Sequence, residues 1–232
     1  MDDAFKSISQ NIDKHFEMIQ DHLKDLNPFE TVSMSRVSTD AWVNTQRRLG
    51  IDIVDAKADF GRPFADTISG YEWTYQTEQQ QIDACLQYFK LNFQSAVPEV
   101  KFQDVSKIQQ FLTSRLPLAV GFKGTSDIVG TLSTNDALDA VRSNMVFVIE
   151  LKKDPMGGAF SNTSINQANS QLLCANHYST NPVLHILTNL SNLWNFRWLS
   201  PPGQILSLSA AYPSEAYRLM QMYVEKRTVN VE

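Results

Sequence analysis

Apolar residues recur along the chain in two rhythms. Phe5, Ile8, Ile12, Phe16, Ile19, Leu23 and Leu26 fall at spacings of three and four, which makes one stripe on a helix of about six turns, with Pro28 beyond its end. The same spacing predicts a short helix from Thr39 or Asp40 to Arg48, stopped by Gly50. Thr77-Glu-Gln-Gln80 has the form of a capping box, and opens a helix to about Phe93 whose inward face is Ile82, Cys85, Leu86, Phe89 and Phe93. Helical period returns from Ile165 to Tyr178 and from Pro213 to Lys226, and Ser106 starts another short helix carrying Ile108, Phe111 and Leu112. The other rhythm is that of strands: Leu116 to Phe122, Ser126 to Leu132, Met145 to Lys152, Val183 to Thr188, Trp194 to Leu199 and a short Ile205 to Leu208. Lys123-Gly124 joins the first two like a hairpin, Asn189 to Asn192 is a turn, and Ser133 to Asn144 is a longer loop or short helix.

The order is therefore helix, three strands, helix, strand pair, helix, preceded by an extra helical region. That order predicts an α/β layered fold with a mixed sheet flanked by helices. The pattern weakens from Ile51 to Trp73, so residues 1–70 are expected as an N-terminal helical extension, packed on or preceding a core domain of residues 71–232.

One strand breaks its own pattern. Met145-Val-Phe-Val-Ile-Glu-Leu-Lys-Lys153 is apolar until Glu150 and Lys152, two opposite charges that share a face because strands have period two. Buried strands exclude ionised groups that lack partners. Asp127, on the preceding strand, could set a second carboxylate beside Glu150. Glu78, four residues before Ile82, falls on the inward face of its helix, where its charge also suits the helix N-terminus. Gln167 and Gln171 are one helical turn apart on the later helix, so they too share a face. Trp194, Phe196 and Trp198 make one aromatic strand face, expected to be core packing, while Lys123, Lys153 and Arg197 are candidates for phosphate contact.

Composition narrows the chemistry. A net charge of −5 argues against a protein that coats nucleic acid through a strong positive field. It leaves a nuclease open, because a bound cation reverses the sign of an acidic cluster. Cys85 and Cys174 form no Cys-x-x-Cys and are expected as reduced core residues, and the four histidines lack metal-ligand spacing. No apolar run reaches the roughly 20 residues of a membrane span, and the start of the chain lacks the basic and apolar regions of an export leader. Those features predict an intracellular protein of cytoplasm or nucleus, or of a host nucleus if a secreted effector has lost its leader. The first amphipathic helix could also pair chains into an oligomer.

Gly124-Thr-Ser-Asp127, then Val148-Ile-Glu150-Leu-Lys152, then a helix with Gln167 and Gln171, resembles the PD-(D/E)XK nuclease superfamily. The resemblance covers roughly Tyr71 to Leu199. It implies a restriction-endonuclease-like αβββαβ core. It implies Asp127 and Glu150 as ligands of Mg2+, with Mn2+ able to substitute, joined by the Leu151 carbonyl and by Glu78, with Glu72 in reserve. Lys152 would lie at the scissile phosphate, and Gln167 and Gln171 would complete the catalytic set. The substrate would be DNA or RNA. Ser126 stands where the nominal motif has proline, and the gap from Asp127 to Glu150 is longer than in compact members. The stretch from Leu187 to Leu199 is similar to a hairpin in the nuclease-like C-terminal domains of Crinkler effectors. The alternative expectation is a catalytically silent module of this fold that binds nucleic acid or a protein partner.

Overall fold

The computed structural model describes residues 31–57, 68–116, 120–153 and 158–228. Over these the chain runs β1 (Thr31–Ser33), α1 (Thr39–Leu49), β2 (Asp52–Asp55), α2 (Glu78–Phe89), β3 (Lys101–Asp104), β4 (Ser114–Leu116), β5 (Val120–Lys123) and β6 (Ile128–Thr131). It continues with α3 (Leu138–Ser143), β7 (Met145–Leu151), α4 (Asn162–Tyr178), β8 (Leu184–Thr188), β9 (Trp194–Ser200), β10 (Gln204–Ala210) and α5 (Pro213–Thr228).

Local chemistry sets the ends of the helices that matter. The Thr77 hydroxyl accepts from the Gln80 N–H and the Gln80 side chain accepts from the Thr77 N–H, so both orphan donors at the start of α2 are satisfied. Ser161 caps α4 by accepting from the Ser164 N–H. Gly50 ends α1 in the left-handed conformation at φ 62°, which a side chain would strain.

Seven strands form one mixed sheet in the order β2-β10-β9-β8-β7-β6-β3. The pairs β7·β8 and β2·β10 are parallel and the other four are antiparallel. The α/β class and the mixed sheet between helices are thus as the sequence predicts. α4 makes the crossover that a parallel β7–β8 pair requires. Alternation along the strands sends residues to opposite faces, and each face has its own core. Phe147, Ile149, Trp194 and Phe196 pack with Ile82 and Phe89 of α2, with Phe93 just beyond its end and with Tyr217 of α5. Val148, Val129 and Met145 pack with Trp42 of α1, Leu172 of α4, and Phe111 and Phe122. Gly130 is where the first face closes. A Cβ there would come within 2.8 Å of the Phe147 ring, and its absence lets Phe102 and Phe147 stack across β6 at 6.2 Å between ring centroids.

Three expectations are corrected. Leu116 to Phe122 is not the first strand of the main sheet: β4 and β5 pair with each other, and with β1, in a separate three-stranded sheet. Lys123-Gly124 therefore joins two sheets rather than two arms of a hairpin. Phe122 is apolar because it faces the second core. The strand that does border β6 is Lys101–Asp104, an edge strand with only Phe102 buried, too short and polar to stand out. The segment from Ser106 to Leu112 forms turns, not a helix, and inserts Phe111 and Leu112 into the core from them. Of the 1–70 region, residues 31–57 add strands β1 and β2 as well as helix α1, while the stripe from Phe5 to Leu26 lies outside the described residues. Ser133 to Asn144 contains the short helix α3, Asn189–Asn192 forms the turn between β8 and β9, and both cysteines are buried and free.

Candidate active site

The end of β7 carries the charges because its neighbours supply partners. Ile128 faces Ile149 across β6 and β7, so Asp127 and Glu150 are the next cross-strand position and share a face. The Asp127 backbone is fixed on both sides: its N–H donates to Ile149 O at 3.2 Å and its carbonyl accepts from the Val105 N–H at 3.1 Å. Its carboxylate folds back over β7, where Oδ2 accepts from the Leu151 N–H at 2.7 Å. The Ser126 hydroxyl donates to Ile149 O at 2.7 Å and so stabilises the bend that delivers Asp127.

Glu150 is 5% exposed and each of its oxygens is met by a donor. Oε1 accepts from Lys152 Nζ and from Gln167 Nε2, both at 2.7 Å. Oε2 accepts from Gln171 Nε2 at 2.7 Å, and that same nitrogen donates to Thr125 O at 2.8 Å. Lys152 continues the parallel pairing, its N–H donating to Thr188 O, so its side chain returns to the face of Glu150 as the period-two pattern requires. Gln167 and Gln171 both point at the sheet, and both hold Glu150 rather than Lys152. Leu151 lies between the two charged residues, in register with Thr188.

Glu78 reaches the same end of β7 from the first turn of α2, where its Oε1 accepts from the Lys153 N–H at 2.6 Å. Glu72 is exposed on the segment before α2. The structure therefore brings together Asp127, Glu150, Lys152, Gln167, Gln171 and Glu78. Arg197 does not serve as a surface phosphate contact. It is buried beneath α4, donating to Asn169 Oδ1 and Asn195 Oδ1 at 2.7 Å each. Trp194 and Phe196 are core residues, and Trp198 packs against them.

The electrostatics fit one crowded acidic site. Burial, then the Glu150 carboxylate beside it, pushes the Asp127 carboxyl well above the usual carboxylate range, although the Leu151 N–H and Lys152 favour its charge. Burial alone would depress the Lys152 ammonium, but Glu150, Glu78 and Asp127 outweigh it and hold the group above its ordinary value. Lys152 is therefore a cation at any physiological pH.

Sequence reasoning passed over two participants. Thr125 offers its carbonyl to Gln171, which no side-chain motif encodes. His185, in the middle of β8, is fully buried with Nε2 2.7 Å from Gln171 Oε1. The signal for it was present: a lone histidine inside the apolar run from Val183 to Thr188.

Among the described residues no three histidine, cysteine, aspartate or glutamate side chains converge as a finished cage. Magnesium does not ask for one, since it takes one or two carboxylates and keeps waters. The donor chemistry fits a divalent cation. Asp127 and Glu150 are adjacent carboxylates that repel each other, Glu150 Oε2 and Asp127 Oδ2 each accept one described bond and keep capacity for another, and a cation would relieve the pressure that raises Asp127. No family model, no curated protein and no solved structure matches the chain. Among the described residues no helix is long and apolar enough to cross a membrane.

Proposed function

We propose that this chain is a metal-dependent nuclease that hydrolyses phosphodiester bonds of DNA or RNA. The observation that carries the reading is the pairing of two carboxylates, Asp127 and Glu150, on adjacent strands with a cationic Lys152 bonded to the second. Asp127 and Glu150 would hold Mg2+, with Glu78 and the Leu151 carbonyl at its margin. The ion supplies a polarised phosphoryl oxygen and a water of lowered pKa. The protein's own groups do the rest. Lys152 places a compact positive charge at the mouth of the site, where charge develops on the phosphate. Gln167 and Gln171 hold the Glu150 side chain in one rotamer by two hydrogen bonds of 2.7 Å each. Ser126 and the Leu151 N–H fix the approach of Asp127.

The strand connectivity supports the likeness to PD-(D/E)XK nucleases. One helix precedes an antiparallel β3-β6-β7 meander, and a crossover helix leads to a parallel fourth strand, β8. The β8–β9 hairpin lies where the similarity to Crinkler effectors falls.

The test is to incubate plasmid, linear DNA and RNA with Mg2+, Mn2+ or chelator. Cleavage should vanish in chelator and fall by about 100-fold or more in Asp127→Ala, Glu150→Ala and Lys152→Ala, with circular dichroism unchanged. Equal cutting by parent and variants at matched purity sinks the reading. One observation favours a silent module instead: Glu150, Asp127 and Glu78 are all already bonded by donors of the chain itself. Calorimetric titration with Mn2+ separates the two, since a silent module gives no heat that depends on Asp127 and Glu150.

A further inference from the structure

Glu150 is not held by Gln171 alone. Gln171 is fully buried, and its carboxamide could sit either way round unless its surroundings choose. On one side stand two acceptors, Thr125 O at 2.8 Å and Glu150 Oε2 at 2.7 Å. Only the nitrogen can face both, so the oxygen faces His185 Nε2 at 2.7 Å. That oxygen needs a donor, so the imidazole carries its proton on Nε2. Nδ1 is then a bare acceptor, and it has no hydrogen-bond partner among the described residues. Burial and the neighbouring Arg197 and Lys152 push the imidazole down to about 3, so the ring stays neutral and keeps one N–H only. A fully buried histidine whose sole described hydrogen bond goes to Gln171 is a poor core residue, because an apolar side chain there would leave no orphan nitrogen.

We propose that His185 is a positioning residue whose Nε2–H anchors the oxygen of the Gln171 carboxamide while its nitrogen serves Glu150, so that β8 steadies the acidic end of β7 through α4. The role rests on the proposed metal site for its functional meaning, but its geometry can be read without metal. An apolar side chain at this position leaves the buried Gln171 oxygen without a donor, which loosens the carboxamide and with it the bond to Glu150.

Two measurements test it. In metal-free protein, imidazole nitrogen resonances should show the Nε2–H tautomer, and the Gln171 side-chain amide protons should exchange slowly. An Nδ1–H tautomer overturns the proposal whatever the variants do. Mn2+ affinity is then measured for His185→Leu, Gln171→Met and the pair. Each single change should weaken binding by about 10-fold, and the double variant should be no worse than the worse single one, because His185 acts only through Gln171. His185→Gln keeps a donor in the place of Nε2 and should restore affinity to near the parent. Additive losses, or an unaltered Gln171 amide signal in His185→Leu, count against the proposal. His185→Met replaces His185→Leu if the latter fails to fold. If the parent itself shows no Mn2+ binding that depends on Asp127 and Glu150, the nuclease reading falls, and the tautomer and amide signals alone decide the positioning role.

Discussion

On one side of the seven-stranded sheet Phe89 of α2, Phe93 just beyond its end and Tyr217 of α5 pack onto Phe102, Phe147 and Trp194, with rings meeting edge-on or stacked. On the other side α4 covers a line of polar side chains. Glu150 binds Gln171, Gln171 binds His185, and the next strand sets Arg197 opposite His185, held by Asn169 of α4. The same strands build both faces, from alternate residues of one sequence. The aromatic face can be assembled from shape and area alone, since apolar contact is non-directional. The polar face is satisfied only if every donor meets its acceptor, because a buried polar group without a partner costs about 1–3 kcal/mol. That requirement adds little to stability and fixes atoms in place, which is the use an active site makes of it.

Breaking the aromatic face should produce the largest loss of stability. Phe147→Ala empties the space that Gly130 leaves for the ring, and should cost about 3–5 kcal/mol. That corresponds to roughly 10 °C in Tm for a chain of this size. Any cleavage by the folded fraction at low temperature should survive, since Phe147 points away from Asp127 and Glu150.

Glu150→Gln tests the opposite face. The change keeps the shape, takes away the partner of Lys152 and turns an amide nitrogen onto donors, so calorimetric unfolding in chelator should show a loss of about 1–3 kcal/mol. Here activity should disappear as well, and Mn2+ should no longer raise Tm. A variant that cuts normally would place the chemistry elsewhere.

Acid should separate the faces through His185. Its imidazole titrates at about 3 in the fold and near 6.5 when unfolded, so above the second value it contributes nothing. As pH falls below 6.5 the unfolded chain takes up a proton that the folded one refuses, and stability drops by about 2 kcal/mol by pH 5. Urea unfolding of the parent at pH 7.5 and pH 5, beside His185→Leu, isolates the contribution. The variant should lose less between the two.

The smallest effect has the opposite sign. The Asp127 carboxyl is raised in the fold, so the stability linked to it is present at low pH and is lost as pH rises through its folded value. At neutral pH without metal, Asp127→Asn removes that penalty while keeping an acceptor for the Leu151 N–H. Its Tm in chelator should rise slightly above the parent, whereas added Mn2+ should stabilise the parent and leave the variant where it was.

Several of these features could be read before any fold was known. The Thr77–Gln80 cap, the apolar run of β7 and the period-two pair Glu150 and Lys152 are all local, and local rules reached them. Asp127 and the two glutamines were reachable because strand and helix periods assign faces. Thr125 was not, since it acts through its backbone, and His185 gave a signal as a lone polar residue in an apolar run but nothing local named Gln171 as its partner. β3 escaped for a related reason: an edge strand with a single buried residue carries almost no pattern.

The sequence alone determined which segments are helix or strand over most of the described chain, that charge sits at the end of an apolar strand, and which residues share its face. Only the tertiary structure decided that Val120–Lys123 leaves the main sheet while Lys101–Asp104 joins it, and that Arg197 is internal. It alone placed Glu78 on the Lys153 N–H. The division has a physical cause. Periodicity records which face of an element avoids water, whereas strand pairing and hydrogen-bond partners depend on what lies opposite, a choice made between residues far apart in the chain.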